Sequence, residues 1–216
     1  MIAHFDLVQK TEAWYRMRYG KITGTTAKGL LVDSDTLLIG LIGDHTEEFE
    51  LMDDEYQSEA MEDGEENEPY ARKELSQYLG IELLECGWLQ SERNPLMGIS
   101  PDGITKDVKI SAEIKCPKKK KHAGNIYLKG IPKDNIHQCL QYFAVNDQLE
   151  EHYFCSFRFQ SRKPLFVEQM LKSTPIKLMI NRKEVTNTVA DWAEIMNVNA
   201  LKIKAQLETE VNKISF

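Results

Sequence analysis

The stretch that most constrains the fold lies between Gly98 and Pro117, where Gly-Ile-Ser-Pro-Asp-Gly is followed, after a short gap, by Ala-Glu-Ile-Lys-Cys-Pro. Asp102 stands eleven residues ahead of Glu113, with Lys115 two residues beyond the glutamate. A strand over Lys109–Cys116 alternates its side chains between two faces. Ile110, Ala112 and Ile114 then share a face suited to a core, and Ser111, Glu113 and Lys115 share the other. Pro101 and Gly103 make Ser-Pro-Asp-Gly a tight turn that delivers Asp102 to the same place. Two carboxylates and the backbone carbonyl of Ile114 form an oxygen set suited to a hard cation such as Mg2+. An ammonium beside them can position a water or stabilise developing charge. A lone Glu-x-Lys is usually a solvated surface and a lone Pro-Asp-Gly an ordinary turn, so the surroundings must carry the reading.

The order of elements predicts an α/β chain with a central mixed β-sheet flanked by helices. Thr11 caps a helix from Glu12 to Tyr19 that Gly20 stops, and a second short helix starts near Thr23–Thr26 and reaches Val32. Asp33–Asp44 has no clean period. Ser58–Leu79 reads as one long helix ended by Gly80, with a kink expected at Pro69. Strands are expected at Glu82–Glu85, Gly87–Ser91, Met97–Ile99, Lys109–Cys116 and His152–Phe159, with Leu165–Glu168 as a partner. Ile136–Val145 is apolar at helical spacing, and Asp191–Lys213 forms a C-terminal helix interrupted near Asn197–Asn199. No repeat or Pro/Gly/Ser linker divides the 216 residues, so a single domain over 1–216 is expected.

Net charge is −7, but from Glu47 to Glu68 there are twelve acidic residues and no basic one. The rest of the chain sets 22 acids against 27 Lys+Arg, which leaves room for a basic face toward nucleic acid. The run Lys118, Lys119, Lys120 and Lys121 starts just past Lys115 and is either a plain basic loop or a contact for phosphates. Cys86, Cys116, Cys139 and Cys155 have no C-x-x-C spacing, which points to reduced thiols and away from zinc or an iron–sulfur cluster. With no apolar run of membrane length and no signal-peptide pattern, a cytoplasmic location is expected and no membrane partner.

The Asp102…Glu113-x-Lys115 arrangement resembles the motif of the restriction-endonuclease-like nuclease superfamily, and the chain looks most like the phage lambda exonuclease family. The likeness extends to Cys116 and Pro117, spans about residues 11 to 145, and is diffuse beyond. Gly64-Glu-Glu-Asn-Glu68-Pro-Tyr-Ala71 resembles the family helix whose glutamate faces the metal, with Pro69 as a departure. Trp14-Tyr-Arg-Met-Arg18-Tyr-Gly20-Lys-Ile22-Thr-Gly-Thr25 resembles the segment that holds the terminal 5′ phosphate, with Thr25 where serine is common. Ser100 maps to a serine near that phosphate or serves an ST-type turn. Gln138 maps to a glutamine that contacts the phosphate or orients the water, with Gln141 as its rival in spacing.

The resemblance implies a phage or prophage enzyme that degrades one strand of linear double-stranded DNA 5′→3′ from phosphorylated ends, leaving 3′ overhangs. Asp102, Glu113 and the carbonyl of Ile114 would hold one Mg2+ ion (or Mn2+) and Asp102 with Glu68 a second. Lys115 would act on the attacking water, and Arg18, Thr25, Ser100 and Gln138 would anchor the phosphate. A homotrimer and a single-strand annealing partner are also implied. The competing readings are an endonuclease or structure-specific nuclease of the same superfamily, a non-catalytic DNA-binding module, and an acidic interaction protein working through Glu47–Glu68.

Overall fold

The computed structural model describes residues 1–32, 34–51 and 59–214. Helix α1 (Glu12–Arg18) begins as expected, with Thr11 accepting the Trp14 N–H, and ends before Gly20 at φ +64°. The next segment is shorter than expected: Ala27–Leu30 makes a single 3₁₀ turn, because Thr23 and Thr26 bond to each other instead of opening a helix. The ambiguous stretch after it is a helix, α2 (Ser34–Thr46), burying Leu37 and Leu41. Helix α3 (Glu59–Leu79) runs through Pro69. Residues 52–58, in the middle of the acidic run, lie outside the described residues.

Strand β1 (Ile2–His4) pairs antiparallel with β2 (Trp88–Gln90), and β2 with β3 (Gly98–Ile99). A second, mixed sheet runs in the order β4 (Gly103–Ile104), β5 (Ile110–Lys115), β6 (Glu151–Phe157), β7 (Leu165–Leu171). Glu82–Glu85 forms no strand and contributes only a bridge from Leu84 to Ile104. Strands β5 and β6 are parallel, which requires a crossover. Helices α4 (Lys119–Leu128) and α5 (Ile136–Val145) supply it. The lysine run is therefore the entrance to a helix rather than a loop. A hairpin, β8 (Pro175–Ile180) with β9 (Lys183–Thr188), turns through Asn181 and Arg182, both at positive φ.

Helix α6 (Val189–Ile214) continues through Asn197–Asn199, contrary to the expected break. The Asn197 amide donates to the Ala144 and Ala193 carbonyls, each at 3.1 Å, and Asn199 donates to the Leu30 carbonyl at 2.8 Å. Both side chains dock the helix onto its neighbours, so neither competes with its backbone.

The mixed sheet separates two apolar clusters. Ala112 and Ile114 of β5 pack with Ala71 and Leu75 of α3 and with Cys155 and Phe157 of β6. The larger cluster gathers Cys139, Leu140 and Tyr142 of α5, Phe154 of β6 and Trp192, Met196 and Ala200 of α6. The polar face of β5 is buried too: Ser111 and Glu113 are both 0% exposed. Among the described residues no helix is long and apolar enough to cross a membrane.

Candidate active site

Burying Glu113 requires compensation, because an isolated carboxylate in the interior is costly. Tyr142 on α5 donates its hydroxyl to Glu113 Oε2 at 2.9 Å, and the Lys115 ammonium contacts Oε1. Apart from that ion pair, Oε1 has no hydrogen-bond partner among the described residues. Lys115 also lies 4.0 Å from Asp102 Oδ2.

The turn brings Asp102 here for a backbone reason. Strand β4 pairs with β5 at Gly103↔Ala112, and the ladder stops there. Beyond it the Ile114 N–H is taken by the Asp102 side chain, Oδ2 at 2.7 Å, while the Pro101 carbonyl accepts from Gln9 at 3.1 Å. The aspartate thus replaces a ladder partner, which fixes its carboxylate beside Glu113.

Glu68 approaches from α3. It pairs at 2.9 Å with Arg72, one helical turn on, and Arg72 also donates to the Asp102 carbonyl and, at 3.1 Å, to Glu85. Arg72 ties the helix to the turn, and the Glu68…Arg72 i,i+4 spacing was the sequence signal for it. Tyr142 gave no such signal inside an apolar helix.

Charge in this cluster does not balance. Glu68, Asp102 and Glu113 face Lys115 and Arg72, an excess of one negative charge; adding the flanking Glu85 and Lys10 leaves that excess unchanged. Burial, then repulsion from Asp102, pushes both Glu68 and Glu113 up to about 7. Burial also raises Asp102, against the pull of Lys115. For Lys115, burial works downward, but Glu113 and Asp102 outweigh it and hold the ammonium charged. At neutral pH the cluster must share a proton or take up a cation.

The residues fit a divalent cation by their chemistry. All donors are oxygens, Glu113 Oε1 has no hydrogen bond, and the balance lacks positive charge. Among the described residues, no three His, Cys, Asp or Glu side chains form a ready-made metal cage.

A second group lies beside it. Arg18 donates to Ser100 Oγ at 3.0 Å, and Trp14 donates to the same oxygen at 2.9 Å. The guanidinium lies 4.1 Å from the Trp14 ring centroid and 5.9 Å from that of Trp88. Burial lowers Arg18 to about 10, so it remains a cation at neutral pH. Ser100, which accepts from Arg18, stands two residues before Asp102 in the chain.

Thr25 and Gln138 meet elsewhere. A side-chain carbon on Gly24 would stand 2.9 Å from Gln138 Cγ, so the glutamine lies across that glycine. Both residues line a groove of about 890 Å3 whose lining includes Lys28 and Lys133 but not Asp102, Glu113 or Lys115. Thr25 stands just ahead of the 3₁₀ turn, and its hydroxyl bonds to Thr23 at 2.8 Å. Gln141 is fully buried and donates to the Ile22 and Gly98 carbonyls at 2.9 Å, which leaves Gln138 as the partly exposed glutamine. Lys118 caps α4, and Lys119, Lys120 and Lys121 fill its first turn, where the helix dipole already favours anions.

The architecture matches solved structures over nearly its whole length. An alkaline exonuclease from Laribacter hongkongensis aligns with a TM-score of 0.75 at 22% identity, covering 94% of this chain and 96% of that one. The same exonuclease in complex with dAMP aligns with a TM-score of 0.71 at 23% identity and the same coverage. The fold is thus restriction-endonuclease-like, as expected. No curated protein matches the chain. The family model for the YqaJ-like viral recombinase domain matches residues 13–148, more than half of the chain, and the chain belongs to that family.

Proposed function

We propose that the chain is a divalent-metal-dependent deoxyribonuclease that degrades one strand of linear double-stranded DNA 5′→3′ from phosphorylated ends. The observation that carries this reading is the buried cluster of Glu68, Asp102 and Glu113, one positive charge short, with Lys115 against it. Family membership and the fold shared with an exonuclease, solved also with a nucleoside monophosphate, support the substrate class.

Asp102, Glu113 and the Ile114 carbonyl would hold a Mg2+ ion, and Glu68 with Asp102 a second. Such ions neutralise phosphate charge and make water acidic enough to attack at neutral pH. Lys115, held charged by its carboxylates, orients that water and stabilises the negative charge that builds on the phosphate oxygens. Tyr142 fixes Glu113 from behind, and Arg72 fixes Glu68 and the Asp102 turn. Arg18 and Ser100 bind the terminal phosphate. Thr25 and Gln138 contact the strand from their own groove, and Lys118–Lys121 take backbone phosphates at the start of α4. Assembly as a homotrimer and work with a single-strand annealing protein complete the proposal.

Digestion of matched substrates tests it. Linear duplex with 5′-phosphate ends is expected to be shortened in Mg2+, with 5′-hydroxyl ends poorer and closed circles resistant. Arg18→Ala should erase most of the preference for phosphate over hydroxyl, a loss of about 10-fold or more from one charged hydrogen bond. Equal attack on circles would instead favour the endonuclease reading.

A further inference from the structure

Two aromatic rings, one on α3 and one just past β6, stand half in solvent. Tyr70, two residues past Glu68, is 58% exposed, and Phe159, two residues past the end of β6, is 52% exposed. Their centroids are 5.6 Å apart at 66°. Phe159 stands edge-on at 4.7 Å to Phe157, a core ring only 2% exposed. Scattered exposed aromatics need no explanation, but this pair is braced from below and keeps its outer surface in water.

The loop that carries Phe159 is compact. Arg158 N–H donates to the Pro164 carbonyl at 2.8 Å, and Ser161 N–H to the Arg158 carbonyl at 3.1 Å. Arg162 and Lys163 are exposed on it and Arg158 half-exposed, and among the described residues none of the three is paired with an acid. His122, just after the lysine run, ties α4 to this loop through the Lys163 carbonyl at 2.9 Å and to Ser156 at 2.9 Å. Ser156 is the register partner of Lys115. Cations from two elements and two braced rings therefore share one end of the sheet with Lys115.

We propose that Tyr70 and Phe159 form a stacking platform for an unpaired nucleobase of single-stranded DNA, with Arg158, Arg162 and Lys163 taking the flanking phosphates. The proposal rests on the nuclease reading, since the bound strand is the one engaged at the carboxylates. Bases inside a duplex are already stacked on each other, so these rings select DNA that is unpaired where it meets them. Unpaired cations supply the sequence-independent part of the affinity and the rings the rest.

Binding of a fluorescent oligothymidylate to the full chain, with divalent metals chelated, tests the platform. Phe159→Ala and Tyr70→Ala are each expected to weaken binding about 5- to 100-fold, the range for loss of one stacked base. Tyr127→Ala, which removes a ring 85% exposed on α4, should leave it unchanged. Phe159→Trp should keep the affinity, and its indole emission should be quenched by the oligonucleotide. Wild-type affinity in both alanine variants, or an unquenched Phe159→Trp, overturns the platform. If Phe159→Ala fails to fold, Tyr70→Ala and the quenching decide. No hydrolysis enters this assay: binding through the rings by a chain that never cuts contradicts the nuclease reading alone. Cutting by a chain indifferent to the rings contradicts the platform alone.

Discussion

Lys115→Ala is expected to slow hydrolysis of 5′-phosphorylated linear duplex by about 10²–10⁴-fold, the usual range for a group acting on the proton or charge of the reacting centre. Among the described residues Lys115 is the one cation in contact with Glu113, whose other oxygen is held by Tyr142. Its removal leaves a fully buried carboxylate without counter-charge. The metal-free protein should therefore also lose stability, by about 1–3 kcal/mol, less than a sealed pair because Lys115 is 39% exposed. Added Mg2+ should recover part of that stability and none of the rate. Lys115→Arg keeps the charge but spreads it over a planar fork, and an intermediate rate is expected. Rates from strand release, with circular dichroism to confirm folding, check all three. An alanine variant that cuts as fast as wild type removes Lys115 from the chemistry.

Glu68→Gln is expected to move stability and activity in opposite directions. Burial, then repulsion from Asp102, raises the Glu68 carboxyl from 4.5 to about 7. A carboxyl raised on folding stabilises the fold fully below its unfolded value, and that contribution is lost as pH rises through the folded one. The window is therefore about pH 4.5 to 7, and above it the charged Glu68 works against the fold. Glutamine keeps an acceptor for Arg72 and carries no charge. In chelator, the variant should exceed wild type by about 1–3 kcal/mol at pH 8, with the gain shrinking toward pH 5. If Glu68 helps to hold a cation, the same change lowers hydrolysis about 10- to 100-fold. Denaturant melts at both pH values and a Mg2+ titration of rate separate the effects. A merely structural Glu68 would lower both together.

The site was legible where it depends on local rules. Alternation along Ile110–Lys115 places Glu113 and Lys115 together, and Ser-Pro-Asp-Gly, expected as a tight turn, makes a bend at Asp102 between β3 and β4. What alternation could not show is that both faces of β5 are covered, because that depends on α5 packing from elsewhere in the chain. Tyr142 was invisible for the same reason: a tyrosine among apolar helix residues looks like core until its hydroxyl finds Glu113. Helix α2 was hidden by Gly40 and Gly43 and by apolar residues on all sides, and α4 by four lysines at the end a helix dipole makes positive. The β8–β9 hairpin turns at Asn181-Arg182 rather than Asn-Gly, so its strongest local cue was missing. Asn197 and Asn199 suggest a helix break, and only tertiary hydrogen bonds reverse that reading. The family resemblance implies Thr25 and Gln138 at the terminal phosphate with Arg18 and Ser100; the structure gathers these two around Gly24 in a groove of their own.

The central claim, that an under-neutralised nest of acids beside Lys115 is built for a divalent ion, is tested most directly by anomalous scattering from crystals soaked in Mn2+. A manganese peak is expected between Asp102 and Glu113, lost in Asp102→Asn. Full occupancy of manganese elsewhere, with this position dark and hydrolysis intact, would contradict it.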